Sequence, residues 1–294
     1  MTLPTFFVIG APKAGTTSLY EYLRQHPDVF MSAVKEPGFL RCPPDVVSGA
    51  KTATQRVHVR TRQEYEALFA DAGGAQAIGE ATPHYLASTH GLGNIAELVP
   101  NARIVVVLRD PAARAYSAHS ANLALGHEHR DLEDVLAQDG LDVSLVRAGL
   151  YAQHLRPWFE RFGKEQIGVF LFDDLKANRD VFLADVFRHI RVREDVAINT
   201  AKQHNASGAP KNRLLAQVLG RVRRSRARKW LKQSLPQVED LGRRLGRSLS
   251  ARNLSQTKKK LDSGTRAKLV AYFEDDIRAL ETLIDRDLSA WRQP

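Results

Sequence analysis

The sequence VIGAPKAGTTSL, near the N-terminus, restricts the possible folds more than any other stretch of the chain. The apolar residues of Phe6–Ile9 predict a buried strand that ends at Gly10. A loop with a second glycine, Gly15, follows, and Thr16–His26 places apolar residues at helical spacing. Glycines let a backbone approach an anion, and the first N–H groups of a helix point toward it. The order of strand, loop and helix therefore predicts a phosphate-binding loop.

This loop departs from the nucleotide-triphosphate pattern G-x-x-x-x-G-K-[ST] in the position of its lysine. Gly10 and Gly15 have the required separation, but Lys13 comes early and Thr16 stands where the lysine belongs. A nucleotide triphosphatase uses that lysine to reach the β- and γ-phosphates, and no obvious Mg²⁺-binding acid follows. Lys13 and the hydroxyls of Thr16 and Thr17 suit a phosphate bound for another purpose. The alternative is a strand–helix turn without a ligand.

Further along the chain, strand patterns alternate with helix patterns. RIVVVL at 103–108 and QIGVFLF at 166–172 predict buried strands, and helical patterns follow at 112–125 and 181–190. Strands that alternate with helices favour a parallel sheet covered on both faces. The sequence therefore predicts an α/β fold, a P-loop-like three-layer α/β/α architecture with a central parallel sheet.

The C-terminal third has a different character. Residues 211–260 hold 16 Lys and Arg against two acids, whereas the whole chain has a net charge of +10, so the basicity belongs to this segment. Residues 264–285 place apolar side chains at steps of three and four, which predicts an amphipathic helix packed on the core. We predict an α/β core at 1–207, a basic helical insert at 208–260 and a packing helix at 261–294.

The composition excludes several kinds of site. Cys42 is the single cysteine, so neither an internal disulfide nor a cysteine-based metal site can form. No apolar run reaches the roughly 20 residues that a membrane-spanning helix needs, and the N-terminus lacks the pattern of a signal peptide. We expect a cytoplasmic protein whose chemistry uses no metal.

The stretch PKAGTTSLYEYLRQHPDV resembles the 5′-phosphosulfate loop of the sulfotransferases, above all the heparan sulfate N- and 3-O-sulfotransferases and their bacterial relatives. A second family motif follows a predicted strand, as IVVVLRDPAARAYSAH. The resemblance implies 3′-phosphoadenosine 5′-phosphosulfate (PAPS) as the donor, with Arg109 and Ser117 on its 3′-phosphate. It assigns the 5′-phosphate to the first loop, at Lys13, Ala14, Gly15, Thr16, Thr17 and Ser18.

The chemistry of Arg109 agrees with this assignment independently. Arg109 follows a predicted buried strand, and open α/β sheets bind their ligands at the carboxyl ends of strands. A guanidinium also presents paired donors that suit a phosphate. The alternatives for Arg109 are a surface ion pair with Asp110 and a charge at a helix terminus.

SAVKEPGFL resembles the family segment that carries a catalytic glutamate, here Glu36. Glu36 is then expected to accept the proton of the acceptor's hydroxyl or amine. His58, His84 and His119 are rival bases, because histidine is the commonest general base. An exposed glutamate paired with the neighbouring Lys35 is the structural alternative for Glu36.

Two further stretches match the family more loosely. IGEATPHYL resembles a segment beside the active site, which makes Glu80 and His84 substrate candidates; orienting a base, or only capping structure, are the alternatives for Glu80. The family often has a lysine before Thr-Pro where this chain has Ala81, so the animal heparan specificity is not expected to apply. HNASGAPKN resembles a basic loop that closes over the nucleotide, which adds Ser207 and Lys211 as cofactor candidates.

The stretch KNRLLAQVLGRVRRSRARKWLKQ interleaves apolar and basic residues, a pattern typical of a helix on an anionic surface. We predict that residues 211–260 contact an anionic glycan or an anionic membrane, and the alternative is a solvated helical face without a partner. Only charge supports nucleic acid, so no specific nucleic acid is predicted. Contact with a membrane would place the protein peripherally at its inner face.

The leading hypothesis is transfer of a sulfuryl group from PAPS to a hydroxyl or amine of an acceptor that contains carbohydrate. A polysaccharide, a glycolipid, a glycosylated natural product or another small hydroxylated molecule all remain open. One alternative is a P-loop kinase-like phosphotransferase. Another is a non-catalytic protein that binds anionic glycans or membranes, which would leave both phosphate motifs without a role.

Overall fold

A computed structural model describes residues 2–49, 59–201 and 261–293. Within these ranges five strands form one sheet in the order β2-β3-β1-β4-β5, and every neighbouring pair is parallel. The sheet with its flanking helices confirms the predicted P-loop-like α/β fold. The strands are β1 Phe6–Gly10, β2 Val29–Met31, β3 Ala77–Ala81, β4 Arg103–Leu108 and β5 Ile167–Leu171.

Helices supply the crossover connections that parallel strands require. Short 3₁₀ turns add to them at Phe39–Arg41, Pro83–Tyr85, Lys164–Gln166 and Ser289–Arg292. The helices are α1 Thr16–Leu23, α2 Pro44–Val47, α3 Arg62–Ala67, α4 Thr89–Leu98, α5 Pro111–Leu125, α6 Leu132–Asp139, α7 Ser144–Arg147, α8 Tyr151–Phe162, α9 Phe172–Ala177, α10 Arg179–Ile190 and α11 Ser263–Ile284.

The direction of the connections reverses between β1 and β4. From β1 the chain continues to β2, at one edge of the sheet, and from β4 it continues to β5, at the other edge. All five residues of β1 are buried, and Phe6 pairs with Arg103 while Gly10 pairs with Val106. Open α/β sheets bind ligands beyond the carboxyl ends of their strands at such a reversal. The loops after β1 and β4 are therefore where a ligand is expected.

The chain forms two compact units. Of the described residues, the first contains 2–49, 59–110, 150–201 and 274–290, and with them the whole sheet. The second contains 111–149, 261–273 and 291–293. The sequence predicted a division at 207 and 260. Because 208–260 lies outside the described residues, that division stays a prediction, as does the basic helical insert.

Helix α11 begins and ends within one residue of the predicted range. Its apolar stripe is buried, since Leu280 has no exposed surface and Ile277 is 1% exposed. Within the first unit, the Asp276 carboxylate accepts hydrogen bonds from the N–H groups of Ala152 at 3.0 Å and Gln153 at 3.1 Å. These amides lie in the first turn of α8, where N–H groups have no helical acceptor. The carboxylate therefore caps α8.

The second unit, taken by itself, is fixed by two arginines. The guanidinium of Arg114, which is 1% exposed, donates to the carbonyl oxygen of Leu145. Arg130 pairs with Glu128 at 2.9 Å and with Asp139 at 2.8 Å, which ties the turn after α5 to the end of α6. The hydrogen bonds from Arg130 lower the pKa of Glu128 to about 2.

Across the ranges that the structure describes, no helix combines the length and the apolar character needed to cross a membrane.

Candidate functional site

The loop between β1 and α1 has two residues in the left-handed backbone region. Lys13 has φ 72° and Gly15 has φ 90°, a conformation that glycine adopts without steric penalty. A Cβ atom on Gly15 would also lie 2.9 Å from Cδ2 of Phe172. Backbone and packing therefore both require glycine at this position. The loop begins with a hydrogen bond from the Ala11 N–H to the Val107 carbonyl, 2.7 Å long, which ties it to β4.

The N-terminus of α1 is open toward this loop. Gly15 is its N-cap, no side chain caps the helix, and its first turn carries no acidic residue. The first bond within the helix runs from the Leu19 N–H to the Gly15 carbonyl, at 3.1 Å. The N–H groups of Thr16, Thr17 and Ser18 therefore have no helical acceptor. Together with the helix dipole, these amides favour an anion.

Arg109 extends from the end of β4 to the same loop. Its Nη1 donates to the Lys13 carbonyl at 3.2 Å, and its Cζ lies 5.1 Å from the centroid of the Phe172 ring. The Tyr151 hydroxyl donates to the Arg109 carbonyl at 2.8 Å, which fixes the backbone of the same residue. The structure thus brings the predicted residues Lys13 and Arg109 together at the point where the strand order reverses.

The electrostatics of this pair favour a negative partner. Burial lowers the pKa of Lys13, the neighbouring Arg109 lowers it further, and Glu36 opposes both effects. Burial also lowers the pKa of Arg109, against the opposing influence of Tyr151 and Asp110. The charge of Arg109 thus disfavours the charged form of Lys13, and a nearby anion would remove that penalty. The pair therefore favours a negatively charged ligand.

Glu36 lies beside the end of β3. Its N–H donates to the Ala81 carbonyl at 3.0 Å, and its carboxylate pairs with the Lys35 ammonium. The Glu36 side chain is 40% exposed, so an acceptor can reach it, and its charge acts on Lys13. Glu36 has φ 59° and Lys13 has φ 72°. Such backbone conformations in non-glycine residues recur at functional sites.

Glu80, at the end of β3, has no exposed surface. Its Oε2 accepts from the Tyr65 hydroxyl at 2.6 Å and its Oε1 from the Thr82 hydroxyl at 2.7 Å, and the buried Tyr85 hydroxyl interacts electrostatically with the same carboxylate. Burial raises the pKa of Glu80, and these hydroxyl donors oppose the rise. The carboxylate does not meet solvent. This placement favours the orienting role over contact with a substrate.

The other predicted residues fall in three places. His84 is exposed in the turn Pro83–Tyr85 of the first unit. Ser117 and the rival base His119 are buried on α5, in the second unit. His58, Ser207, Lys211 and the basic segment lie outside the described residues. The roles given to these residues stay predictions. In the part of the chain that the structure describes, no cluster of three or more His, Cys, Asp or Glu could hold a metal ion.

Four aromatic residues that contact the site were not predicted from the sequence. Phe172 and Tyr151 fix Arg109, whereas Tyr65 and Tyr85 surround Glu80. Phe172 alone gave a signal, because it directly follows a strand as Arg109 does. The tyrosines come from separate helices and turns whose patterns carry no mark of the site.

Comparisons with known proteins all find sulfotransferases. A family model described as "Sulfotransferase family" matches residues 4–195. Human carbohydrate sulfotransferase 15 is 29% identical over 246 residues, covering 65% of this chain and 44% of that protein. Mouse heparan sulfate glucosamine 3-O-sulfotransferase 3B1 is 30% identical over 166 residues, covering 54% of this chain and 39% of that protein. The chain thus spans less than half the length of these relatives.

A solved structure, that of a sulfotransferase from Alicyclobacillus acidocaldarius, resembles the chain along its full length. The TM-score is 0.71 and the sequence identity is 25%, with 100% of both chains covered.

Proposed function

This chain belongs to the sulfotransferase family, and we propose that it transfers a sulfuryl group from PAPS to a hydroxyl or amine of an acceptor that contains carbohydrate. One observation carries the proposal: Arg109 donates to the Lys13 carbonyl beside the open N-terminus of α1. Two cations and a set of unpaired amides meet there. PAPS offers a phosphate at each end of its ribose, which matches such a set.

The donor groups of this site suit those two phosphates. The N–H groups of Thr16, Thr17 and Ser18 would hold the 5′-phosphate, with the threonine hydroxyls as further donors. The Lys13 ammonium would add a point charge near the bridging oxygen, whereas the Arg109 fork suits the 3′-phosphate. PAPS supplies an activated sulfuryl group on a good leaving group.

The residues have separate tasks in the transfer. The acceptor's oxygen or nitrogen attacks sulfur, the bond from sulfur to the bridging oxygen breaks, and its electron pair stays on the phosphate of 3′-phosphoadenosine 5′-phosphate (PAP). Negative charge develops at that phosphate, where Lys13 and the amides of α1 would stabilise it. The Glu36 carboxylate accepts the proton that the acceptor loses.

The names of two relatives, a carbohydrate sulfotransferase and a heparan sulfate glucosamine 3-O-sulfotransferase, support a carbohydrate acceptor. Ala81 stands in the position of the family's frequent lysine, so we do not extend the heparan sulfate specificity to this chain. Contact of residues 211–260 with an anionic glycan or membrane, and a cytoplasmic location, remain predictions from the sequence.

Calorimetry with PAP tests the donor site. We expect Lys13→Ala and Arg109→Ala each to weaken PAP binding at least about tenfold, since each removes a charge-assisted hydrogen bond. Arg103→Ala is the matched control, because Arg103 begins β4 at the opposite end from Arg109 and donates to the Glu165 carbonyl at 3.2 Å. Unchanged affinity in both test variants would refute the site.

A transfer assay tests the reaction class. The protein is incubated with radiolabelled PAPS or with labelled ATP and Mg²⁺, together with heparosan oligosaccharides, unsulfated chondroitin oligosaccharides and a glucosyl lipid. We expect label to move from PAPS to at least one acceptor, and none to move from ATP. Transfer from ATP would favour the kinase-like alternative, and PAP binding without any transfer would favour the non-catalytic one.

A further inference from the structure

Glu80 is a buried acid that the transfer of the sulfuryl group does not use. Both of its carboxylate oxygens accept hydrogen bonds, from the hydroxyls of Tyr65 and Thr82, and the buried Tyr85 hydroxyl interacts electrostatically with the same carboxylate. We call Glu80 and these three residues the Glu80 cluster. A buried carboxylate is tolerated only when its hydrogen bonds are made. The cluster is therefore a fixed point in the first unit.

The Glu80 cluster is attached to the backbone that carries Glu36. The Leu40 N–H donates to the Tyr85 hydroxyl at 3.3 Å, and the same hydroxyl interacts electrostatically with Glu80. The Phe39 ring stacks on Tyr65, with centroids 5.1 Å apart and an angle of 26° between the planes. Residues 36–42, which we call the Glu36 segment, are thus in contact with the two tyrosines of the cluster.

The start of the Glu36 segment is held at the same strand end. The Glu36 N–H donates to the carbonyl of Ala81, the residue after Glu80. Glu36 keeps a left-handed backbone, with φ 59°, and a residue outside its preferred region persists only where its surroundings determine it. The bond to Ala81 and the links through Tyr65 and Tyr85 supply that determination.

We propose that Glu80 is a positioning residue, which fixes the Glu36 segment through its hydroxyl partners and so sets the place of the Glu36 carboxylate. This inference rests on the proposed function, in which Glu36 accepts the acceptor's proton. Loss of Glu80 then slows the transfer and leaves the donor site intact, because Lys13, Arg109 and α1 make no bond to the Glu80 cluster among the contacts of the described residues.

Two variants test this role. Glu80→Gln keeps the shape but puts an NH₂ group against a hydroxyl that donates, and Tyr85→Phe removes the link to Leu40 without altering Glu80. We expect each to lower the turnover number by about 100-fold, the effect of a misplacement of about 1 Å. The Kd for PAP and the KM for PAPS should stay within twofold. The double variant should cost little more than either single one.

Glu128→Gln is the control for lost stability. Glu128 is another largely buried carboxylate, and it pairs with Arg130 at 2.9 Å rather than with the Glu36 segment. We expect it to lower the unfolding temperature while its turnover number stays near that of the wild type. An equal loss of turnover in Glu128→Gln and Glu80→Gln would overturn the positioning role.

Hydrogen–deuterium exchange decides the inference without any acceptor. In Glu80→Gln and Tyr85→Phe, the amides of Glu36 and Leu40 should exchange faster than in the wild type, whereas that of Ala11 should not change. Equal exchange at Glu36 and Leu40 would overturn the inference. If the wild type transfers nothing from PAPS to the acceptor panel, the proposed function fails, and the exchange result still decides whether Glu80 fixes the segment.

Discussion

The loop between β1 and α1 and the Glu80 cluster lie at the ends of neighbouring strands, β1 and β3, yet they treat polar groups in opposite ways. The loop leaves the first amides of α1 without a helical acceptor, and its Lys13 carbonyl accepts a hydrogen bond from Arg109. The Glu80 cluster buries a carboxylate whose two oxygens both accept hydrogen bonds. The first region is arranged to receive an anion, and the second is already satisfied.

The difference shows why the two regions should respond differently to mutation. The amides of α1 and the cations Lys13 and Arg109 form favourable interactions only when an anion binds, so mutations there should change the affinity for PAP. The hydrogen bonds of the Glu80 cluster form on folding, so mutations there should change stability and the position of Glu36. The following predictions test that separation, beginning with the largest expected effect.

Glu36→Gln should remove the proton acceptor while leaving Arg109 and the amides of α1 in place. We expect the turnover number to fall by about 10²- to 10⁴-fold, the usual contribution of a general base. Because Glu36 acts on Lys13 only through its charge, PAP should still bind in calorimetry, without the loss of affinity expected for Lys13→Ala. Glu21→Gln is the control, because Glu21 is another partly exposed glutamate that pairs with a neighbouring base, Arg24. A variant that keeps most of its rate would show that another residue is the base.

Gly15→Ala should affect both PAP affinity and stability. A left-handed alanine costs about 1–2 kcal/mol, and the clash with Phe172 adds about 1–3 kcal/mol of overpacking. Gly74→Ala is the matched control, since Gly74 has φ 83° and a Cβ there would meet nothing within 4 Å. Urea unfolding should show the larger loss for Gly15→Ala, and only that variant should bind PAP more weakly. Equal losses of unfolding free energy in the two variants would mean that the Phe172 ring moves aside to accommodate the new methyl group.

The affinity for PAP should fall as the pH rises through the lowered pKa of Lys13. Burial and Arg109 lower the pKa of Lys13, so its ammonium loses a proton at a lower pH than an ordinary lysine. Below that pKa the charge is present and the affinity is constant; above it about tenfold is lost with one charge-assisted hydrogen bond. Calorimetry above pH 7, where phosphates are fully ionised, measures the fall. Lys13→Arg should flatten it, and an equal fall in that variant would contradict the assignment.

Glu80 should make the free energy of unfolding depend on pH. Burial raises its pKa above the unfolded value of about 4.3, so the folded state holds the proton more tightly. This contribution is present below about pH 4.3 and is lost as the pH rises through the raised pKa, by up to about 1.4 kcal/mol per pH unit. Asp276 shifts in the same direction. Asp276→Asn should therefore keep a slope that Asp276→Asn/Glu80→Gln lacks, and equal slopes would contradict this.

Elements that depend on a local pattern were predictable from the sequence. The strand at 103–108 was predicted with identical bounds, and α1 and α11 were predicted to within three residues at each end. Strand β2 was missed because three residues are too few to show a period. The phosphate-binding loop could also be predicted, because Gly10, Lys13, Gly15 and the threonines lie close together in the sequence.

The Glu80 cluster could not be predicted in this way. Its members come from α3, the end of β3 and the turn after it, and they act on a segment some 40 residues earlier in the chain. Periodicity places each of them only as a buried side chain. What joins them is the packing of Phe39 on Tyr65 and the bond from Leu40 to Tyr85, and a single sequence carries no sign of either contact.

A crystal structure with PAP tests the donor site most directly. We predict that the 5′-phosphate lies within hydrogen-bonding distance, about 2.7–3.2 Å, of the N–H groups of Thr16, Thr17 and Ser18. The 3′-phosphate should meet the Arg109 guanidinium, and the Glu80 cluster should be unchanged. A PAP molecule bound elsewhere, or one whose phosphates leave the amides of α1 and Arg109 without contact, would contradict the assignment.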